Sequence, residues 1–353
     1  MLTRLDLTNF TVFERASFRF GERINVLHGV NGSGKTHILK LTYLLQRSLA
    51  TKPAPAGDAP PSRSWLQRAL AEELVEVFRP DALGRLATRT QGNAVCVVSA
   101  QLQNEAQPVT FSFSTRSRSE VAVEVAPSVW LDRPPIYFPT REALSIYPGF
   151  VSLYDLRALE FDRTWRDICV LLGAPLHRGV RPAPVRALLE PLERVFGGDI
   201  VLDSSGRFYV KDERGKIEMH LVAEGLRKLA MVARLIATGA LVGRGCLLWD
   251  EPEANLNPVL IKTVAQVLFA LAAQGVQIFV ATHSLFLMRE LSLLQQAESA
   301  SPKSVRYFGL HRDGERVAVT QGDALTQSGG IAALDEDVQQ AERVLDQAMG
   351  VLP

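Results

Sequence analysis

Cysteine is scarce in this chain of 353 residues: Cys96, Cys169 and Cys246 stand far apart, each in apolar surroundings. They have neither zinc-site spacing nor the density of a disulfide framework, so they are expected to be small buried hydrophobes in a reducing compartment. Charge of one sign is also missing. The 39 Lys and Arg residues face 38 Asp and Glu, a net charge of +1. A dedicated nucleic-acid binder is usually more basic, so any DNA contact would have to come from a local patch. No uninterrupted apolar run reaches the length of a membrane span, and the N-terminus has no charged-then-apolar signal. The sequence therefore predicts a soluble, cytoplasmic protein with no membrane partner. It contains no internal repeat and no heptad run. The length suits one large domain or two, with a substantial core.

Three stretches carry chemistry. Gly29-Val30-Asn31-Gly32-Ser33-Gly34-Lys35-Thr36 fits G-x-x-x-x-G-K-[ST]. It follows the short apolar run Ile24 to His28 and precedes a helical pattern from Ile38. In such a loop the backbone around Gly29, Asn31, Gly32, Ser33 and Gly34 cradles phosphate oxygens at a helix N-terminus. Lys35 would reach the β- and γ-phosphates of ATP, and the Thr36 hydroxyl would ligate Mg²⁺. The second stretch, Cys246 to Pro252, is four apolar residues followed by two carboxylates. Asp250 would hold Mg²⁺, mostly through water, and Glu251 would act as general base on the attacking water. The third, Val280 to Ser284, ends a strand expected beside the one carrying Asp250, so His283 is placed to hydrogen-bond the γ-phosphate.

The rest of the chain supplies a frame. Leu2 to Leu7 and Ala16 to Phe20 alternate as strands, joined by an Asn9–Arg15 connection and expected beside the strand that feeds the loop. Phe10, Val12 and Phe13 either line an adenine pocket or cover the core, the core being favoured; Thr11 and Val12 are carried as nucleotide contacts. Thr51 to Pro61, rich in proline and alanine, is expected to be a mobile surface loop. Ser64 to Phe78 has helical spacing, with Ser64 as its cap. Val95–Leu102, Val109–Thr115 and Val121–Val125 suggest an antiparallel meander, and Ile136 to Glu142 a further strand. Asp155 to Leu172 and Pro184 to Phe196 are expected helices. Ile200–Leu202, Phe208–Val210 and Ile217–Leu221 are expected strands, and Glu224 to Ala237 a helix. The last third alternates strand and helix, as a mostly parallel sheet does. Val305–Leu310 and Val317–Gln321 close it, and Leu334 to Leu352 forms a final helix whose apolar stripe is expected to pack on the domain.

Gly29–Thr36, Cys246–Pro258 and Thr282–Ser284, with Leu221-Val222-Ala223-Glu224-Gly225-Leu226-Arg227-Lys228 as a signature, resemble the ABC-type ATPase heads of the SMC, RecF and OLD families. Within them the chain looks most like single-chain bacterial AAA-type ATPases of anti-phage and mobile-element systems. The resemblance implies a bilobed α/β head with a mixed sheet, an antiparallel lobe and a short helical insertion. Its parts would be residues 1–140, the insertion 141–199, and 200–353. It also implies a homodimer or higher oligomer in which two copies sandwich two ATP molecules. Each signature, through Glu224, Gly225 and Arg227, would cap the phosphates held by the other copy. The partner implied is a separate nuclease or toxin, with nucleic acid as an alternative partner.

The signature departs from the family at Ala223, which stands where a serine would give the γ-phosphate a hydroxyl. Arg227 or Lys228 could compensate; Lys228 is expected to be solvated and Arg227 is left open. The family's interlobe polar residue has no clear match, and Arg141 or Glu142 is the nearest candidate. The Arg141–Gly198 stretch has room for two or three short helices, not a long coiled coil. Asp335-Glu336-Asp337 reads as a solvated helix start and not as a nuclease site. Pro252 to Pro258 resembles RecF and OLD heads more than transporter subunits. The alternatives to an effector-controlling switch are a RecF-type ATPase that binds DNA directly and a nucleotide-binding scaffold with little turnover.

Overall fold

The computed structural model describes residues 1–53, 59–88, 92–103, 108–176, 181–243, 245–298, 304–314 and 316–349. Part of the expected Thr51–Pro61 loop (54–58) and the last positions of the expected C-terminal helix (350–352) lie outside these described residues.

The chain opens with β1 (Leu2–Phe10) and β2 (Phe13–Arg19), then β3 (Ile24–Gly29), α1 (Lys35–Ala50) and α2 (Arg63–Phe78). Next come β4 (Val95–Leu102), β5 (Val109–Ser114), β6 (Ala122–Val125) and β7 (Ile136–Phe138). Three helices follow: α3 (Phe150–Asp155), α4 (Arg163–Leu172) and α5 (Ala183–Phe196). After β8 (Asp199–Leu202), β9 (Phe208–Asp212) and β10 (Gly215–Glu218) stand α6 (Glu224–Ala237), β11 (Gly245–Asp250) and α7 (Pro258–Ala273). The chain ends with β12 (Val276–Thr282), α8 (Leu285–Ala297), β13 (Val305–Asp313), β14 (Arg316–Gly322) and α9 (Ala332–Ala348).

These strands make three sheets. The central one has the order β14-β13-β3-β12-β11-β7, parallel except for the β13–β14 hairpin. The second, β2-β1-β4-β5-β6, is antiparallel, and the third is the small β10-β9-β8 meander. Side-chain alternation divides the core across the central sheet. Val26, Ile278 and Val280 face a cluster filled by α6, α7 and α8, while Leu27, Phe279 and Ala281 face α1, α2 and the antiparallel sheet. All three cysteines are buried and unpaired. Among the described residues no helix is long and apolar enough to cross a membrane.

Several expectations need correcting. The first two strands do not flank β3; they join the antiparallel sheet. Their connection is a two-residue hairpin turn at Thr11 and Val12, because Phe10 pairs with Phe13 and both rings are fully buried core. Phe10 and Phe13 therefore cover the core, the alternative favoured from the sequence. Ser62, not Ser64, caps α2 by accepting from the Trp65 N–H. The expected helix over Asp155 to Leu172 is broken, since Arg157 takes a left-handed φ of 55° and Asp162 starts a new helix by capping the Thr164 N–H. α9 packs no fully buried residue against the domain; Val338, Val344 and Leu345 are exposed.

Candidate nucleotide-binding and hydrolytic site

The loop from Gly29 to Thr36 leaves the centre of the main sheet, where β3 is buried from Ile24 to His28. Two of its glycines are dictated by space. A Cβ on Gly29 would lie 2.5 Å from the Leu310 carbonyl oxygen, and one on Gly34 2.7 Å from the Phe13 ring and 2.8 Å from Val12. Gly34, at φ 91°, starts α1, whose first turn holds no acidic side chain, so its N–H groups and dipole favour an anion. Val30, Asn31 and Gly32 are exposed at the apex, and Ser33 is buried. The Lys35 ammonium donates to the Gly29 and Val30 carbonyls at 2.8 and 3.1 Å. Burial lowers its pKa, while the charges of Glu251, Asp250 and Glu253 pull the other way.

The end of β11 comes directly under this loop. Thr36 Oγ1 donates to Asp250 at 2.9 and 3.2 Å, so the two proposed cation ligands, separated widely in sequence, are in contact. The Tyr137 hydroxyl, from β7, adds a third bond to Asp250 at 3.3 Å. Nothing in the sequence marked that tyrosine. Asp250 is buried and its pKa is raised by desolvation, against the hydrogen bonds from Thr36 and Tyr137. Among the described residues no group of three or more His, Cys, Asp or Glu side chains could hold a metal. One hydroxyl and one carboxylate suit a hard cation that takes most of its ligands from water and phosphate, as Mg²⁺ does.

Glu251 and His283 also converge. Parallel pairing sets Asp250 opposite Ala281, and the Glu251 N–H donates to the Ala281 carbonyl at 2.9 Å. This puts the Glu251 carboxylate 3.4 Å from His283 Nδ1, with the imidazole half exposed. Glu251 has a φ of 49°, left-handed for a residue with a side chain.

Two buried charges hold that turn. Lys228 donates to the Glu251 and Ala254 carbonyls, each at 3.0 Å. It is 1% exposed, which overturns the expectation of a solvated side chain. Burial lowers its pKa to about 8, with Glu253 the strongest opposing charge. The Glu253 carboxylate accepts from the Thr282 hydroxyl at 2.6 Å and from the His283 and Ser284 N–H groups at 3.2 Å. Glu253 thus ties the acidic turn to the histidine turn, a role that no local pattern announced.

The signature residues lie beside this pair of turns. Ala223 is exposed at the start of α6, Glu224 is half-buried, and Gly225 is buried in the single chain. A Cβ on Gly225 would come 2.4 Å from the Asn255 carbonyl oxygen, so the acidic loop itself requires this glycine. Arg227 forms an ion pair at 2.8 Å with Glu142, which also accepts from the Ser145 N–H and hydroxyl. Of the two interlobe candidates, Glu142 is the one joined to the signature helix, while Arg141 is exposed. Thr11 and Val12 sit behind the phosphate loop: Thr11 Oγ1 is 3.0 Å from His37 Nδ1, and Val12 touches the position above Gly34.

Comparison with known proteins agrees with this arrangement. Residues 128–289 match the family described as "AAA domain, putative AbiEii toxin, Type IV TA system", a span that includes Asp250, Glu251 and His283 and leaves out the phosphate loop. The DNA replication and repair protein RecF of Geobacter metallireducens is 46% identical over 44 residues, 12% of either chain. The SMC head bound to the C-terminal winged-helix domain of ScpA is similar over 92% of this chain and 98% of its own, with a TM-score of 0.58 and 14% identity. The SMC head with an extended coiled coil bound to the C-terminal domain of ScpA, from Pyrococcus furiosus, covers 99% of both chains at a TM-score of 0.54 and 12% identity. In fold the chain is similar to these SMC heads, with the phosphate loop, the acidic strand end and the histidine turn meeting on one face of its central sheet.

Proposed function

We propose that this protein is an ATP-hydrolysing switch that dimerises around ATP and controls a separate effector protein. The observation that carries the reading is the convergence of Lys35, Thr36, Asp250, Glu251 and His283 on one face of the central sheet, from segments far apart in the chain. Lys35 and the N–H groups from Gly29 to Gly34 would bind the phosphates. Thr36 and Asp250 would hold Mg²⁺, which when bound supplies charge for the β- and γ-oxygens. Glu251 would take the proton of the attacking water, and His283, beside it, would orient the γ-phosphate. Glu224 and Gly225 would face the nucleotide of a second copy. The partner chains on the solved SMC heads support an effector role, and the family description, which prints a putative toxin of a Type IV TA system, supports a link to a toxin; the resemblance noted in the sequence extends the proposal to anti-phage defence. The RecF segment favours a second reading, direct DNA binding, which stimulation of ATPase by DNA ends would distinguish.

The test uses Glu251→Gln and Lys35→Ala in the full chain. Loss of a general base lowers turnover by roughly 100-fold or more. Glu251→Gln should therefore retain ATP and appear by native mass spectrometry as a nucleotide-loaded dimer, alone or with a second polypeptide. Lys35→Ala should carry no nucleotide and stay monomeric. A Glu251→Gln monomer that holds intact ATP would replace the switch with a nucleotide-binding scaffold.

A further inference from the structure

β13 runs parallel to β3, with Leu310 opposite Gly29. At Gly29 the chain of β3 turns into the phosphate loop, while β13 continues straight to Asp313 before its hairpin with β14. Arg312 therefore emerges beside the outer wall of the loop. Its Nη1 lies 3.6 Å from the position a Cβ on Gly32 would take. Among the described residues its side chain makes a single hydrogen bond, from Nε to the Gly314 carbonyl at 3.0 Å. It is exposed, so the remaining N–H groups are open to a ligand.

The backbone that carries Arg312 is braced against the phosphate-loop strand. His28, the residue before Gly29, is buried, and its Nε2 lies 2.6 Å from Ser328 Oγ. His311, the residue before Arg312, lies 2.7 Å from Thr320 Oγ1 and 3.1 Å from the Ser328 carbonyl oxygen. Ser328 thus joins the strand feeding the loop to the strand carrying the arginine. Burial, with the charges of His311 and Lys35, pushes His28 down to about 4, so its ring is neutral at neutral pH.

We propose that Arg312 is a further phosphate-binding residue, its guanidinium turning over the apex at Gly32 onto the terminal phosphate of the bound nucleotide. A planar fork of N–H donors matches phosphate oxygens, and a glycine at position 32 leaves the approach unobstructed. The contact adds, within one chain, a charged N–H donor in a head whose signature lacks a hydroxyl at Ala223. It rests on the nucleotide-binding reading above.

Equilibrium titration with a non-hydrolysable ATP analogue and with ADP, both with Mg²⁺, tests it in the wild type, Arg312→Ala, Arg312→Lys and Lys35→Ala. One charge-assisted contact corresponds to roughly tenfold in affinity. Arg312→Ala should bind the triphosphate about tenfold more weakly while ADP changes by less than about twofold, and Arg312→Lys should recover part of the loss. Lys35→Ala should lose both ligands. Equal weakening of both ligands, or no change, in Arg312→Ala overturns the assignment while leaving nucleotide binding intact. Failure of the wild type to bind either ligand overturns the reading of the site and the inference together.

Discussion

The two turns that meet at the nucleotide face both use left-handed backbone, and they are held by different means. The phosphate loop turns at Gly32 and Gly34, with φ of 77° and 91°, where the absence of a Cβ makes the conformation easy. The turn after β11 uses Glu251 and Asn255, with φ of 49° and 63°. Such residues lose on the order of 1 kcal/mol each in this region, Asn least. Contacts from elsewhere hold this second turn: Lys228 from α6, Ala281 from β12, and Glu253 reaching to the next strand end. The first turn takes its shape from its own glycines, with Leu310 and Phe13 packed close against them. The second is held by tertiary contacts, so a shift of α6 would be felt at Glu251.

The sharpest way to break the contrast is to take the glycine from the first turn. Gly34→Ala puts a methyl group into the buried Phe13 ring and Val12 and also strains the backbone. Overpacking and left-handed strain together cost roughly 4 kcal/mol. Urea unfolding should show that loss, and nucleotide binding should vanish with it. A variant of wild-type stability would mean that the loop's shape does not depend on glycine.

The second turn should break from a distance. Lys228→Met keeps the length of the side chain and removes the donor to the Glu251 and Ala254 carbonyls, and with it the buried cation on which Glu253 is the strongest opposing charge. Removing one member of a buried charge set costs about 3 kcal/mol. Because the lost contacts hold Glu251, hydrolysis should fall by more than the affinity for ATP does. Equal losses in both would show that α6 does not set the position of Glu251.

The same contrast explains how much was legible in the sequence. The phosphate loop, the carboxylates ending β11 and the position of His283 follow from local patterns: glycine spacing, an apolar run, a polar strand end. So do α6, expected over Glu224 to Ala237, and α7, which has a proline at its entry. Lys228, Glu253, Tyr137 and His28 act only through partners that the fold brings in, so their spacing carries no sign of it. Lys228 looks like any basic residue on a helix until the acidic loop closes over it. The first two strands had the right alternation but could not reveal which sheet they join, because period-2 patterning fixes a face and not a neighbour. The stripe on α9 was real, yet periodicity alone could not say what would cover it.

The smallest effect is expected where the second turn is nearest to the first in kind. Asn255 is exposed, has a left-handed φ, and offers its carbonyl side to Gly225. Asn tolerates this conformation better than other residues with a side chain. Asn255→Gly relieves the remaining strain but gives the unfolded chain more freedom, and these oppose each other. Thermal or urea unfolding should therefore place Asn255→Gly within about 0.5 kcal/mol of the wild type. Stabilisation by more than about 1 kcal/mol would mean that the acidic turn stores strain beyond what Lys228 and Glu253 offset. In that case the two turns would differ in energy as well as in their means of support, and the strained turn would be the one poised to relax when α6 moves.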